Sequence, residues 1–193
     1  MTHTLIVFHS GTGSTAQLAE AARQGAAEIG TASLLRINGA DIVDGRWRNE
    51  SLLAELDEAD AVLFGTPTYM GGPSAQFKAF ADATGGRWER QALAGKLAGG
   101  FTIGSSLNGD QLQTLHYLSI LASQHGMLWC NLAVTPGRDP LGRNPLGTQL
   151  GVTAQNVEGR VADAYIETAR YLGRRIARMA SRYEAAVNVE ETV

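Results

Sequence analysis

The stretch Ser10-Gly11-Thr12-Gly13-Ser14-Thr15 lies between an apolar segment, residues 4–9, and an amphipathic segment with helical spacing. The apolar segment predicts a strand, and the amphipathic one predicts a helix with a buried face at Leu18, Ala19, Ala22, Ala26 and Ile29. A turn that opens a helix offers free backbone N–H groups and the positive end of the helix dipole, and the hydroxyls here are further donors. Because the turn contains no Lys or Arg, it predicts a site that retains a phosphate monoester through dipoles.

Three types of phosphate-binding loop compete for this stretch. A Walker-type loop requires a Lys after the glycines, and none is present. The dinucleotide fingerprint G-x-G-x-x-A matches residues 11–16, but the second strand ends with Arg36 where an acidic residue is expected, which suits only NADP. The flavodoxin loop S/T-x-T-G-x-T matches Ser10, Thr12, Gly13 and Thr15. On this loop alone, the dinucleotide and flavodoxin interpretations both stay open.

A second loop, residues 65–74, follows the third predicted strand, residues 61–64. In a parallel sheet of order 2-1-3-4-5, the first and second loops leave neighbouring strands at the topological switch point, where FMN binds. Pro67 restricts the backbone, Gly71 allows close approach to a flat ring, and Tyr69 and Met70 are predicted to cover the ring face. The alternative is a simple strand-to-helix turn with Ser74 as the helix N-cap.

A third loop, residues 104–110, follows the fourth predicted strand, residues 97–103, and is again small and polar. Three such loops at one sheet edge favour a flavin site. The predicted cofactor contacts in these loops are Ser10, Gly11, Thr12, Gly13, Ser14, Thr15, Pro67, Thr68, Tyr69, Met70, Gly71, Thr102, Ile103, Gly104, Ser105, Ser106, Asn108 and Gly109.

With these loops, the chain resembles the flavodoxin-like NAD(P)H:quinone oxidoreductases of the tryptophan-repressor-binding protein (WrbA) type. The resemblance rests on the runs Phe64-Gly65-Thr66-Pro67-Thr68, Thr84-Gly85-Gly86-Arg87-Trp88 and His125-Gly126-Met127, and it extends over nearly the whole chain. It implies FMN as cofactor and NAD(P)H as co-substrate, with His125 near the flavin ring and Trp88 lining the nicotinamide and quinone pocket. Two departures are a short segment at residues 38–60 and a third loop without the family's run of glycines.

The expected architecture is α/β: a flavodoxin-like three-layer sandwich around a five-stranded parallel sheet of order 2-1-3-4-5. At 193 residues, one domain is expected, spanning residues 1–183, with a frayed tail at 184–193. The segment 127–130 is predicted to be the fifth strand, with Cys130 in the core. The last helix is predicted over residues 161–180.

The segment 131–156 contains three of the five prolines. A loop of this length is often a functional lid. As a lid at the flavin edge, it would offer Arg138 and Arg143 to the phosphates of a pyridine nucleotide. The alternative is an arm that packs against another subunit.

Composition narrows the functional classes. The formal charge is −3, from 16 basic and 19 acidic residues, so the composition does not indicate nucleic-acid binding. This net charge is also mild for an electron-carrier flavodoxin. The chain begins directly with a strand, so no signal peptide is expected, and no apolar run approaches a membrane span. A single cysteine fits a reducing cytoplasm, where we expect the protein to reside. A homodimer or homotetramer is expected, and no metal site is predicted.

The predicted function is a hydride relay from NAD(P)H through bound FMN to a quinone-like acceptor, in a ping-pong cycle. Tyr69, Met70 and Trp88 are predicted to form the stacking slot, and His125 to stabilise negative charge on the reduced ring. His125 has an alternative role as a helix C-cap before Gly126. The alternative function is a flavodoxin-like one-electron carrier with no substrate of its own. A protein without flavin is a third possibility, and the intact loop at residues 10–15 argues against it.

Overall fold

The computed structural model describes residues 1–190 of the 193-residue chain. Its strands are β1 (His3–Phe8), β2 (Thr31–Arg36), β3 (Ile42–Val43), β4 (Arg46–Trp47), β5 (Ala61–Tyr69), β6 (Gly72–Pro73), β7 (Leu97–Gly104), β8 (Leu128–Trp129), β9 (Val152–Val157) and β10 (Arg160–Val161). Its α-helices are α1 (Ser14–Ala27), α2 (Glu50–Glu58), α3 (Ala75–Ala83), α4 (Gly85–Glu89), α5 (Gln111–Gln124) and α6 (Asp163–Glu190). Helix α6 therefore includes most of the predicted tail, and residues 191–193 lie outside the described part.

The main sheet has the order β2-β1-β5-β7-β9 through its parallel core, which confirms the predicted order of the first five strands. Its strand number differs from the prediction of five. Antiparallel β10 extends the edge beside β9, β6 pairs with β5, and β8 pairs with β7, so the sheet contains eight strands. A separate ribbon of β3 and β4 lies in the short segment before α2.

The fifth core strand is not the segment 127–130. Strand β8 has two residues, which pair with Leu97 and Ala98 at the start of β7. Strand β9 takes over beside the second half of β7, where Phe101 pairs with Val152 and Gly104 with Gln155. The segment between these two strands contains Pro136, Pro140 and Pro145, and pairing with β7 resumes at Val152.

The sheet buries both of its faces, which makes the three-layer sandwich. One core cluster joins Leu5, Val62 and Phe64 to helices α2, α3 and α5. The other joins Ile6 and Leu63 to α1 and α6. Cys130 is buried in this second cluster, as predicted, and burial raises the pKa of its thiol.

Helices α1 and α6 cross with their backbones in contact. A Cβ placed on Gly25 of α1 would lie 1.9 Å from the carbonyl oxygen of Arg170, and one on Gly173 of α6 would lie 1.9 Å from that of Ala22. Two glycines therefore set the distance between the helices that cover this face of the sheet.

Residues 131–151 form a folded strap against α6. The Arg143 guanidinium binds Asp139 through two nitrogens and lies 4.5 Å from the ring centroid of Tyr171, and it lowers the pKa of the Asp139 carboxyl to about 2. Asn144 is buried and bonds Thr168 through its N–H. These contacts engage Arg143 within the protein, which corrects the expectation that it is available to a nucleotide phosphate.

One buried hydroxyl predicts a stabilising substitution. Thr4 Oγ1 lies in the core without a hydrogen-bond partner among the described residues. Since valine has the same shape and no polar atom to desolvate, we expect Thr4→Val to raise the free energy of unfolding by about 1 kcal/mol. Urea unfolding followed by circular dichroism measures this, and a loss of stability would contradict the assignment of an unsatisfied hydroxyl.

Within residues 1–190, no helix combines the length and the apolar character that crossing a membrane requires.

Candidate cofactor cleft

A cleft of about 200 Å³ opens at the carboxyl ends of β1, β5 and β7. All three predicted loops contribute to it. Its lining consists of Gly11, Thr12, Ser14, Thr15, Pro67, Thr68, Tyr69, Ile103, Gly104, Ser105 and Asn156. Crevices at this position in a parallel α/β sheet are the usual ligand sites of the fold.

The first loop presents free backbone donors to the cleft. Gly13, with φ of 98°, occupies the left-handed region that glycine adopts without strain, and it begins α1. In the described part of the chain, no hydrogen bond uses the N–H groups of Gly11, Thr12, Ser14 or Thr15. The start of α1 thus provides both donors and the positive end of a helix dipole.

The hydroxyls of this loop divide into two groups. Those of Thr12, Ser14 and Thr15 belong to residues that line the cleft. The buried Ser10 instead turns its Oγ inward and accepts hydrogen bonds from the N–H groups of Gly13 and Ala16, at 3.1 and 3.3 Å. Ser10 therefore shapes the loop from beneath and does not line the cleft.

The second loop is shorter than the sequence predicted, because β5 continues through Tyr69 before a tight hairpin to β6. Ser74 is the N-cap of α3, as the alternative interpretation of this loop expected: its Oγ accepts the N–H of Phe77. The same oxygen lies 2.8 Å from His9 Nδ1 and 3.2 Å from Thr66 Oγ1. This buried chain ties the end of β1 to the second loop.

No charged side chain lines the cleft, but the guanidinium of Arg36 lies next to it. Arg36, at the end of β2, donates from Nη2 to the carbonyl oxygen of Ser10 at 3.2 Å. Burial, and then the charge of Arg36, lower the pKa of His9, which keeps that imidazole neutral near pH 7. Arg36 therefore places a positive charge at the first loop, a role that the sequence reading did not assign to it.

The third loop enters the cleft only at its beginning, through Gly104 and Ser105. Thr102 is fully buried and donates to the carbonyl oxygen of Thr66, so its hydroxyl serves the sheet. Asn108 lines a neighbouring cavity of about 260 Å³ instead. Two other predicted contacts of the third loop, Ser106 and Gly109, do not line the cleft either. In the second loop, Met70 and Gly71 form the tip of the hairpin, and Met70 is fully exposed.

Asn156 is a cleft residue that the sequence reading missed. It lies on β9, within the segment predicted to be a long loop. The alternation of apolar and polar residues over 152–155 is the signal that identifies a strand there.

His125 and Trp88 lie at the opposite end of the sheet. Helix α5 starts beside the cleft and runs 14 residues, about 20 Å, before His125 ends it as the C-cap. The Nε2 atom of His125 lies 2.8 Å from Thr84 Oγ1, immediately before the short helix that carries Trp88. Both residues, which the resemblance placed near the flavin ring and its pocket, therefore lie away from the cleft of their own chain, because each helix reverses the chain across the sheet.

A pH effect follows from the burial of His125, whose Nδ1 has no partner among the described residues. Burial lowers the pKa of His125, so the unfolded chain takes up a proton below about pH 6.5 while the folded chain resists it. We expect the free energy of unfolding to be unaffected by this group above that pH and to fall as the pH drops below it.

The measurement is denaturant unfolding at pH 7.5 and at pH 5 for three proteins. His125→Gln is expected to reduce the difference between the two pH values, with His9 accounting for part of what remains. His116→Gln, on the exposed side of α5, is the matched control and is expected to leave the difference unchanged. An undiminished difference in His125→Gln would contradict the prediction.

The cleft fits FMN on three observations. Its free N–H groups and hydroxyls suit a terminal phosphate, its neutral lining suits a ring, and its position between β1 and β5 is the switch point of the sheet. Together, the fold and the cleft define a flavodoxin-like mononucleotide-binding protein.

Comparisons with known proteins agree with this class. The family model described as NADPH-dependent FMN reductase matches residues 4–135. Flavodoxin FldP of Pseudomonas aeruginosa is 36% identical over 194 residues, covering 96% of this chain and 100% of that protein. An NAD(P)H dehydrogenase (quinone) of Geotalea uraniireducens is 30% identical over 198 residues, covering 92% of this chain and 97% of that protein. The crystal structure of a flavodoxin, WrbA-like protein from Agrobacterium tumefaciens is 41% identical with a TM-score of 0.78, covering 95% of this chain and 99% of that one.

The chain belongs to the NADPH-dependent FMN reductase family, which confirms the resemblance that its loops indicated.

Proposed function

We propose that this protein is an FMN-dependent NAD(P)H:quinone oxidoreductase that works in a ping-pong cycle. FMN held in the cleft would supply the redox chemistry that links oxidation of NAD(P)H to two-electron reduction of a quinone-like acceptor, with the two substrates using the same place in turn. The observation that carries the proposal is the cleft at the switch point, with the free N–H groups of Gly11, Thr12, Ser14 and Thr15. Membership of a reductase family supports it.

Different residues would bind the phosphate and the ring of FMN. The N–H groups and hydroxyls of Thr12, Ser14 and Thr15 would hold the phosphate, with Arg36 adding a positive charge nearby. Gly104 and Ser105 would meet the ring at the other side of the cleft. Because the lining is neutral, backbone dipoles would set the electrostatic potential at the ring. The parallel strands already fix the orientation of these dipoles, so they would not have to reorganise during the reaction.

The proposed assembly is a homodimer or homotetramer. Trp88 is 47% exposed, at the end of the sheet away from its own cleft. If Trp88 and His125 serve a flavin, it is therefore that of a neighbouring copy. His125 is buried, so Trp88 is the side chain of the two that is open to contact.

The second candidate is a one-electron carrier that holds FMN without a substrate of its own. Flavodoxin FldP, which matches nearly the whole chain at 36% identity, favours it. The formal charge of −3 argues against it, since complementary charge speeds the encounter of a carrier with a protein partner and this net charge is mild.

An anaerobic titration of the FMN-loaded protein with NADPH, and then with NADH, distinguishes the two. The oxidoreductase is expected to lose its oxidised-flavin absorbance at about one equivalent of nucleotide and to regain it when benzoquinone is added. Bleaching by a chemical reductant but by neither nucleotide would support the carrier. A protein that does not retain FMN would overturn both candidates.

A further inference from the structure

Tyr69 connects the second loop to the first. It is the last residue of β5, and its side chain is half exposed at the mouth of the cleft. A Cβ placed on Gly11 would lie 2.8 Å from the Tyr69 hydroxyl oxygen and 4.0 Å from Cζ. The phenol therefore reaches across the cleft, and its hydroxyl rests against the backbone of the phosphate-binding loop.

The Tyr69 hydroxyl lies beside the hydrogen-bond donors of that loop and can donate a further hydrogen bond. No hydrogen bond within the described residues engages it, and Gly11 and Thr12 beside it also have free N–H groups. A phenol donates a hydrogen bond while remaining neutral, which suits a cleft whose lining has no cation. Hydrogen bonds from neutral donors to a charged acceptor are shorter and stronger than those between neutral groups.

We propose that the Tyr69 hydroxyl binds the terminal phosphate of the flavin, so that this chain uses Tyr69 to select FMN over unphosphorylated riboflavin. This inference rests on the proposed function, which places FMN in the cleft. It assigns Tyr69 to the phosphate end of the ligand, whereas the sequence indicated a residue that covers the ring. Glycine at position 11 leaves room for this arrangement, because a Cβ there would lie 2.8 Å from the hydroxyl oxygen and would push it away.

The first experiment compares the dissociation constants of FMN and riboflavin by quenching of flavin fluorescence. Loss of one hydrogen bond to a charged group predicts that Tyr69→Phe weakens FMN binding about tenfold. Riboflavin binding is expected to stay within about twofold. Tyr183→Phe, which removes a hydroxyl of similar exposure from α6, is the matched control and is expected to change neither constant.

The second experiment tests the contact between the loops by a double-mutant cycle. Gly11→Ala introduces a Cβ that displaces the Tyr69 hydroxyl, so it is expected to weaken FMN binding as much as Tyr69→Phe does. In the double variant the clashing oxygen is absent and the nearest ring atom is at ordinary contact distance. The two effects are therefore expected not to add, and the double variant should bind FMN about as well as either single one.

The possible outcomes separate this inference from the proposed function. Equal weakening of FMN and riboflavin by Tyr69→Phe would overturn the inference and assign Tyr69 to the ring. Additive effects of the two substitutions would overturn the contact between the loops. A wild-type protein that binds neither flavin would overturn the proposed function itself, and the inference with it.

Discussion

Gly173→Ala is expected to cost about 3 kcal/mol or more in the free energy of unfolding. The added Cβ would lie 1.9 Å from the carbonyl oxygen of Ala22, a backbone atom that cannot rotate away. Helices α1 and α6 must then separate, which opens the packing of Leu172 and Ile176 in the core cluster on this face of the sheet. Overpacking of this kind outweighs the roughly 1 kcal/mol that alanine gains over glycine in a helix.

The matched control is Gly85→Ala, also at a helical glycine but with no atom within 4 Å of the added Cβ. We expect it to change stability by less than about 1 kcal/mol. Urea unfolding followed by circular dichroism measures both variants. If Gly173→Ala were as stable as Gly85→Ala, the backbone contact between α1 and α6 would not exist.

Thr15→Val is expected to raise the dissociation constant of FMN by about 10- to 100-fold. Thr15 is almost fully buried, yet it lines the cleft, and its hydroxyl has no partner among the described residues. A hydrogen bond to a charged group is worth about 1.5–3 kcal/mol, and each 1.4 kcal/mol changes affinity about tenfold. Valine keeps the shape of threonine, so the first turn of α1 is expected to remain folded.

Thr4→Val is the control for this binding measurement. Thr4 is as buried a residue as Thr15 and its hydroxyl lacks a partner among the described residues, but it lies near the other end of β1 and does not line the cleft. We expect it to leave FMN binding unchanged. An effect of Thr15→Val no larger than that of Thr4→Val would contradict a phosphate at the start of α1.

Local signals predicted several structural features around the cleft. Ser74 caps α3, as its residue type suggests. The turn at residues 10–15 does open α1 and does line the cleft. These features depend on residues within one or two turns of each other.

Other predictions failed because the local sequence around a residue does not show which residues from other parts of the chain lie beside it. Thr102 occupies the expected strand end, but its hydroxyl finds the carbonyl oxygen of Thr66 on the neighbouring strand. Arg143 has the chemistry of a phosphate ligand, but Asp139 and Tyr171 engage it first. In each case a partner from another part of the structure satisfies the group that was assigned to a ligand.

The sequence by itself determined the class of the protein. Apolar strands, hydroxyl-rich turns and amphipathic helices in alternation require a parallel sheet, and they place the phosphate-binding turn at the carboxyl end of its first strand. The tertiary structure decided which side chains meet there. It brought Tyr69 onto Gly11 and Asn156 into the cleft, and it carried His125 to the far end of the sheet. Periodicity and capping are properties of short segments, so the sequence shows them directly. Contacts across the cleft depend on the register of the strands and the lengths of the helices, which only the complete fold determines.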